Sequence, residues 1–128
     1  MIGSFGASAV IVFATPRSPF GQPRNLIGGH LIGSTCGCLM RLAIEPHESS
    51  IATSIAVALS IIIMQFTETL HPPGGATALI AVTLKTELPW KNFVFILIPA
   101  LSGAFAMLVT ALIVNNMAPN RTYPTFWW

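Results

Sequence analysis

The sequence predicts an all-α, polytopic membrane protein. Of its 128 residues, 53% are hydrophobic and 8% are charged, and the mean hydropathy is +0.73. A soluble domain normally carries about 25% charged residues, so a soluble fold of this size would lack the polar side chains to cover its surface. The apolar residues also cluster into runs of helical length. We therefore expect a single transmembrane domain over residues 1–128.

Spanning helices follow from the length of these runs, since a hydrocarbon core of about 30 Å needs roughly 20 helical residues. Three segments meet this length, at about 25–44, 49–70 and 92–114. In the first, the spacing of Gly29, Gly33 and Gly37 predicts close packing against another helix. In the third, Pro99 is expected to kink the helix because proline removes a backbone donor.

Two shorter apolar runs, about 3–14 and 74–84, would form helices of about 16–18 Å, roughly half a membrane. Each is flanked by a proline-rich stretch, which favours a half-helix or re-entrant segment. Gly6–Ile11 and Gly75–Ile80 share four identical residues, and each run precedes a spanning helix. We interpret this pattern as a degenerate internal repeat, in which the helix that would open the first copy is absent.

Whether 71–84 re-enters or crosses is left open by hydropathy, and the basic residues favour one answer. We call the side of loop 15–24 side X and the opposite side Y. Re-entry would leave Lys85 and Lys91 on X with Arg121 on Y, a split of four to two, whereas crossing would give three and three. Because cytoplasmic loops are enriched in Lys and Arg, the charges favour re-entry with X cytoplasmic. The expected location is the bacterial cytoplasmic membrane, or the plastid envelope if the source is a plant.

The stretch that begins at His71 predicts an anion site. Gly74 and Gly75 would let a ligand approach the first amides of a helix, which lack internal partners and carry partial positive charge. His71 and Thr77 would add polar contacts. The half-helix of the other repeat would offer a matching site at Gly3, Ser4 and Gly6. Two half-helices facing each other would then form the pocket; the alternative is that the Pro-Pro-Gly-Gly stretch is only a tight loop.

Three further polar residues are candidates for gating, proton-linked or steering roles. Glu68 lies three residues before His71 and would form a proton-linked pair with it across one helical turn, unless it is an interfacial residue. His30 shares a helix face with Gly33 and is either structural or pathway-lining. Arg24 would steer anions, or contact a lipid headgroup, at side X.

Two other features are interpreted structurally. Cys36 and Cys38 would diverge on a helix, so we expect small residues at a helix interface rather than a disulfide. The aromatic tail is expected to anchor at the membrane interface, and it consists of Tyr123, Phe126, Trp127 and Trp128.

Three motifs follow one another in a distinctive order along the chain. They are Gly3–Ala9 (GSFGASA), Gln22–Asn25 with Gly28–His30 (QPRN and GGH), and Leu70–Leu79 (LHPPGGATAL). Together they resemble the motifs of the HPP family of integral membrane proteins, over essentially the whole chain. The resemblance implies a four-helix membrane protein, and it implies nitrite as a substrate because some members from cyanobacteria and plastids are implicated in nitrite transport. Other members carry an apolar helix before the first motif, which agrees with the missing opening helix.

The leading hypothesis is a transporter or channel for a small inorganic anion, with nitrite implied by the resemblance. So few helices would hardly enclose a pathway alone, so we expect a homo-oligomer in the lipid bilayer. The alternative is a non-transporting membrane assembly or sensor module, which the glycine stripe favours. No enzymatic activity, metal, cofactor or nucleic-acid partner is expected.

Overall fold

A computed structural model describes residues 2–44, 49–84 and 93–128, and the regular structure in these ranges is helical. The helices are α1 (Ser4–Ala9, continued as a π-helix over Val10–Ala14), α2 (Pro23–Ala43), α3 (Ser49–Phe66), α4 (Pro72–Thr83) and α5 (Ser102–Asn116, preceded by the π-helical Ile96–Leu101). A 3-10 turn, Pro19–Gly21, leads into α2. The predicted all-α class is confirmed.

Within the part of the chain that the structure describes, two helices are long and apolar enough to cross a membrane, Pro23–Ala43 and Ile96–Asn116. They correspond to the predicted spans 25–44 and 92–114, although residue 92 lies outside the described residues. The predicted span 49–70 is shorter than expected, because α3 ends at Phe66 after 18 residues. At 1.5 Å per residue α3 extends about 27 Å, so its role as a third span stays a prediction.

Both short apolar runs form short helices, with one boundary shifted. The first covers Ser4–Ala14, close to the predicted 3–14. The second begins at Pro72 rather than at residue 74, with His71 as its N-cap. Proline suits the first turn of a helix because the amide it lacks would have no partner there. The two prolines therefore form the first turn of α4.

The end of α3 separates Glu68 from His71. The Thr69 N–H donates to the Met64 carbonyl (2.9 Å) and the Glu68 N–H to the Gln65 carbonyl (3.2 Å), which is the pattern of a Schellman cap. Glu68 takes the left-handed position of this cap (φ 55°), where glycine is usual. Because the helix has already ended, Glu68 and His71 do not share a helical turn.

The predicted kink at Pro99 is confirmed. The backbone at Ile98 is non-helical (φ −132°, ψ 114°) at the junction of two helical pieces. Proline cannot donate to the preceding turn, and its ring crowds the carbonyl four residues earlier. The kink separates a short first piece of this span from α5.

Helices α2 and α4 pack backbone against backbone along the predicted glycine stripe. A β-carbon on Gly33 would overlap the Gly74 carbonyl, and one on Gly37 would overlap the Ala78 carbonyl. Residue numbers rise together in these pairs, so the two helices run in the same direction. The close packing predicted for this stripe is therefore confirmed, and α4 is the partner.

The C-terminal tail lies beside loop 15–24, at the end of the molecule that we call end X. Arg121 donates to the Phe13 carbonyl (2.8 Å), and Arg17 donates to the Asn120 carbonyl (3.4 Å). The prediction that Arg121 lies on the opposite side from loop 15–24 was therefore wrong. The position of the tail is decided by its contacts with residues far away in sequence, and a count of charges carries no information about such contacts.

Helix α4 runs away from end X. Near its C-terminus, the Val82 carbonyl accepts a hydrogen bond from Arg41, in the last turn of α2 (3.2 Å). With Arg121 at end X, the predicted split of four basic residues to two does not hold. The distribution of basic residues therefore no longer favours re-entry. Lys85 and Lys91, which that argument also used, lie outside the described residues.

The aromatic tail divides into a buried and an exposed part. Tyr123 is 2% exposed and donates its hydroxyl proton to the Gly21 carbonyl (2.8 Å), so it locks the tail to the loop and is not an interfacial anchor. Burial raises the pKa of Tyr123 to about 12, which keeps the phenol protonated as a donor. The residues exposed as expected for an anchor are Phe126, Trp127 and Trp128.

We predict that Gly33→Ala destabilises the protein while Gly75→Ala does not. A β-carbon on Gly33 forces α2 and α4 apart, at a cost of about 1–3 kcal/mol. A β-carbon on Gly75 makes an ordinary contact with Val57 Cγ1 (3.8 Å). The difference in melting temperature is measured by thermal unfolding in detergent, with labelling of the buried thiols Cys36 and Cys38 as the signal of unfolding. Equal melting temperatures for the two variants would refute the backbone contact.

Candidate functional site: a buried network of histidines and hydroxyls

Five polar side chains from α1, α2 and α4 meet in the interior of the bundle. They are Ser4, Ser8, His30, His71 and Thr77, each 2% exposed or less. Four of these are predicted site residues, and the structure brings them together. Ser8 was missed by the sequence analysis, although its spacing of four residues from Ser4 places both hydroxyls on one helix face.

Ser8 joins the two histidines at the centre of this network. Its Oγ lies 2.9 Å from His30 Nε2 and 2.8 Å from His71 Nε2. The other ring nitrogen of His30, Nδ1, lies 2.8 Å from Thr77 Oγ1. Thr77 Oγ1 in turn lies 2.9 Å from Ser4 Oγ. Hydrogen-bond contacts therefore run without a break from Ser4 to His71.

The backbone carbonyl of Phe20 fixes the tautomer of His71. His71 Nδ1 lies 2.7 Å from this oxygen, which can only accept, so Nδ1 carries a proton. A neutral His71 then presents a bare Nε2, to which the Ser8 hydroxyl donates. The same accounting lets neutral His30 donate from Nε2 to Ser8 and accept from Thr77 at Nδ1. The uncharged network is thus internally satisfied.

The position of His71 depends on Gly29 of α2, which lies against its side chain. As the N-cap of α4, His71 has an extended backbone (φ −138°, ψ 100°) and lies against α2. A β-carbon on Gly29 would overlap the His71 β-carbon, so only glycine leaves room there. The His30 ring packs edge-on against both Phe5 and His71, with ring centroids 5.1 Å apart in each pair.

The two half-helices overlap side by side and do not face each other. Ser4 contacts Thr77 and Ser8 contacts His71, so α1 runs antiparallel to the first two turns of α4. The predicted geometry of two opposed N-termini was therefore wrong. Antiparallel overlap lets side chains from both helices interdigitate, which hydropathy alone does not reveal.

The predicted site glycines do not line one pocket. Gly3 and Gly6 are exposed with open space around them, whereas Gly74 and Gly75 are buried. The Gly74 N–H donates to the His71 carbonyl (2.7 Å), and proline occupies the two positions before it. The amide of Gly74 is thus already used within the chain, and the polar side chains are the stronger candidates for ligand contact.

Glu68 pairs with Arg24 and not with His71. Its side chain is 80% exposed, and its carboxylate lies 3.5 Å from the Arg24 guanidinium. Arg24 also donates to the Thr67 carbonyl (2.5 Å), so it caps the end of α3. The predicted proton-linked pair of Glu68 and His71 was wrong, because it assumed one continuous helical turn.

Arg24 lines a groove at end X. This groove has a volume of about 410 Å³ and is lined by Pro23, Arg24, Ile27, Gly28, Thr67, Thr69, Leu108, Trp127 and Trp128. Its walls are mostly apolar, with Arg24 and two threonines as the polar part. Gly28 and Thr69 bring the groove to within two residues of His71 in sequence, next to the contact between Gly29 and His71.

The donors of this network form no metal site. Among residues 2–44, 49–84 and 93–128, no three His, Cys, Asp or Glu side chains come together in a way that could hold a metal ion. The contacts that the two histidines make in this network are hydrogen bonds to hydroxyl groups and to a backbone carbonyl.

A comparison with protein families decides the identity of this bundle. Residues 1–124 match the family model described as HPP, transmembrane region. The chain belongs to the HPP family. This confirms the family suggested by the three ordered motifs and establishes a membrane protein. Which membrane holds it, bacterial or plastid, stays a prediction.

Two relatives of this HPP protein are transmembrane proteins of Dictyostelium discoideum. One is 54% identical over 130 residues, which cover 100% of this chain and 45% of the relative. The other is 49% identical over 130 residues, which cover 100% of this chain and 42% of the relative. The chain thus spans less than half the length of the curated relatives it matches. No solved structure matches the chain.

We predict that Thr77→Val destabilises this HPP protein while Thr83→Val has little effect. Valine has the shape of threonine but leaves His30 Nδ1 without a partner, at a cost of about 1–3 kcal/mol. Thr83 lies on the same helix, is exposed, and bonds only to carbonyls of its own helix. Thermal unfolding in detergent tests the pair. A Thr77 variant as stable as the Thr83 variant would show that this hydrogen bond contributes nothing.

Proposed function

We propose that this HPP-family domain moves a small inorganic anion across the membrane, with nitrite as the candidate substrate. The observation that carries the proposal is the pair of buried histidines, His30 and His71, inside a transmembrane bundle. Ionisable side chains in a bilayer are costly and typically mark transport pathways or proton relays. Imidazole and hydroxyl groups are also suitable donors to a small anion.

The directions of the helices support transport. Helix α1 runs toward end X and α2 away from it, whereas α4 runs away from end X and α5, which ends beside Tyr123, runs toward it. In our proposal the two units form an inverted repeat, with the short helices meeting at the polar network. Many secondary transporters place their substrate site at such a junction.

Arg24 has a supporting part in this proposal. Its guanidinium is partly exposed at the groove of end X, where it would attract anions toward Gly28 and Thr69. The Glu68 carboxylate, 3.5 Å from the guanidinium, weakens that attraction. We keep Arg24 as a steering residue and place Glu68 outside the transport site.

Transport through a homo-oligomer is part of the same proposal. Gly3, Gly6 and Ala7 are exposed on α1 beside the buried network, and a second copy of the chain would cover them. The competing proposal of a membrane assembly module loses its main support, because the glycine stripe of α2 packs against α4 of the same chain. Transport rather than catalysis fits a site whose groups exchange protons and hydrogen bonds.

We predict that reconstituted protein supports saturable nitrite uptake and that His71→Asn abolishes most of it. Asparagine retains a donor for the Phe20 carbonyl but loses the nitrogen that contacts Ser8. The substitution also removes the imidazole that our proposal places against nitrite, and a hydrogen bond to a charged group contributes about 1.5–3 kcal/mol, so its loss corresponds to roughly tenfold or more in nitrite affinity. Nitrite-selective electrodes measure uptake into proteoliposomes.

The matched control for this experiment is Glu68→Gln. Glu68 is near His71 in sequence but pairs with Arg24 at the surface, so we expect near-normal uptake. Protein-free liposomes set the background, because protonated nitrite crosses lipid unaided. Absence of uptake above this background by the unmodified protein would refute the proposed function. Equal loss in both variants would contradict the assignment of His71.

A further inference from the structure

We propose that the network takes up one proton, on His71 Nε2, with each anion that it binds, so that proton and anion cross together. This inference rests on the proposed function and names its coupling ion. It is carried by two observations on the described residues. The hydroxyls of the network have alternative acceptors, and no carboxylate is present to balance a charged histidine.

The hydroxyl of Ser8 has two possible acceptors for its single proton. One is His71 Nε2 (2.8 Å), and the other is the Ser4 carbonyl (3.2 Å). When Ser8 turns toward Ser4, its oxygen can accept from His71 Nε2 and from His30 Nε2 at once. A proton can therefore be added to His71 by rotation of one hydroxyl, with no movement of a helix.

Every proton in this step can be assigned to a named atom before and after uptake. Before uptake, His71 holds one proton on Nδ1, bound to the Phe20 carbonyl, and accepts from Ser8 at Nε2. After uptake, His71 holds protons on both nitrogens, and Ser8 donates to the Ser4 carbonyl. The added proton comes from water and returns to water when the anion leaves. No covalent bond other than N–H forms or breaks.

The Thr77 hydroxyl also has alternative acceptors, but its rotation would allow a second proton to be added, on His30. Its hydroxyl can donate to His30 Nδ1, to Ser4 Oγ (2.9 Å) or to the Pro73 carbonyl (3.1 Å). The rings of His30 and His71 have centroids 5.1 Å apart, so two positive charges would repel each other strongly. The geometry therefore favours one proton for the pair.

A charged His71 needs a counter-charge that the described part of the chain does not supply. The described residues of α1, α4 and loop 19–21 contribute no charged side chain to the network, and α2 contributes only His30. Among the described residues, Glu68 is the one acidic side chain, and it pairs with Arg24 at the surface. Burying an unpaired charge is very costly, so a bound anion stabilises the imidazolium and the imidazolium stabilises the anion.

Two measurements on the purified full chain test this coupling. Calorimetric titration with nitrite in Tris and in HEPES, which differ in ionisation enthalpy, should give an uptake of about one proton per nitrite bound. In proteoliposomes, nitrite uptake should acidify the lumen, respond to an inward acid gradient and ignore an imposed membrane potential.

The variant Ser8→Ala and its control Ser60→Ala separate coupling from folding. Ser8→Ala removes the acceptor for His71 Nε2, so we expect proton uptake and nitrite affinity to fall together, by about tenfold for affinity. Ser60 is an equally buried serine on α3 that bonds only to the Val57 carbonyl, and its replacement should change neither.

The outcomes distinguish the two proposals. Nitrite binding without proton uptake, or nitrite flux driven by membrane potential alone, would overturn the coupling and leave anion transport standing. An unmodified protein that neither binds nor moves nitrite overturns the proposed function and the coupling with it. Proton uptake that is unchanged in Ser8→Ala would also overturn the assignment to His71.

Discussion

The contact between the backbones of α2 and α4 is the constraint on which the described structure depends. Where Gly33 meets the Gly74 carbonyl, the two helices lie closer than any side chain would allow. Lipid tails are as apolar as leucine, so helices in a bilayer gain little from hiding apolar side chains and must gain from close contact instead. The glycines provide that contact, and they also fix the rotation and depth of α4 relative to α2.

The polar network follows from this fixed register. Gly29 leaves room for the His71 side chain, and His30, the next residue of α2, reaches Thr77 on α4. Helix α1 then completes the network, because Ser4 and Ser8 lie on the face that it presents to α4. A shift of one turn between α2 and α4 would separate His30 Nδ1 from its partner, the Thr77 hydroxyl. The packing of the helices and the geometry of the polar network are therefore coupled through the same few glycines.

Features that depend on local rules were predictable from the sequence. The apolar runs, the kink at Pro99 and the close packing at the glycine stripe each depend on a few neighbouring residues and on general properties of helices. The errors arose where distant residues decide the outcome. Arg121 was assigned to the wrong end because its partner, the Phe13 carbonyl, is more than a hundred residues away. Glu68 was assigned to the wrong partner because a left-handed residue ends α3 before the turn is completed.

By itself, the sequence determined an all-α membrane domain of the HPP family and the residues around which a polar site would form, including His30, His71, Ser4 and Thr77. Composition, the length of the apolar runs and the ordered motifs are sufficient for these conclusions, because they depend on the surrounding lipid and on the local backbone. Only the tertiary structure decided that these side chains form one hydrogen-bonded network, that the short helices overlap antiparallel, and that Ser8 joins the two histidines. Hydrogen bonds require distances near 3 Å, and residues far apart in sequence reach such distances only once the register between helices is set.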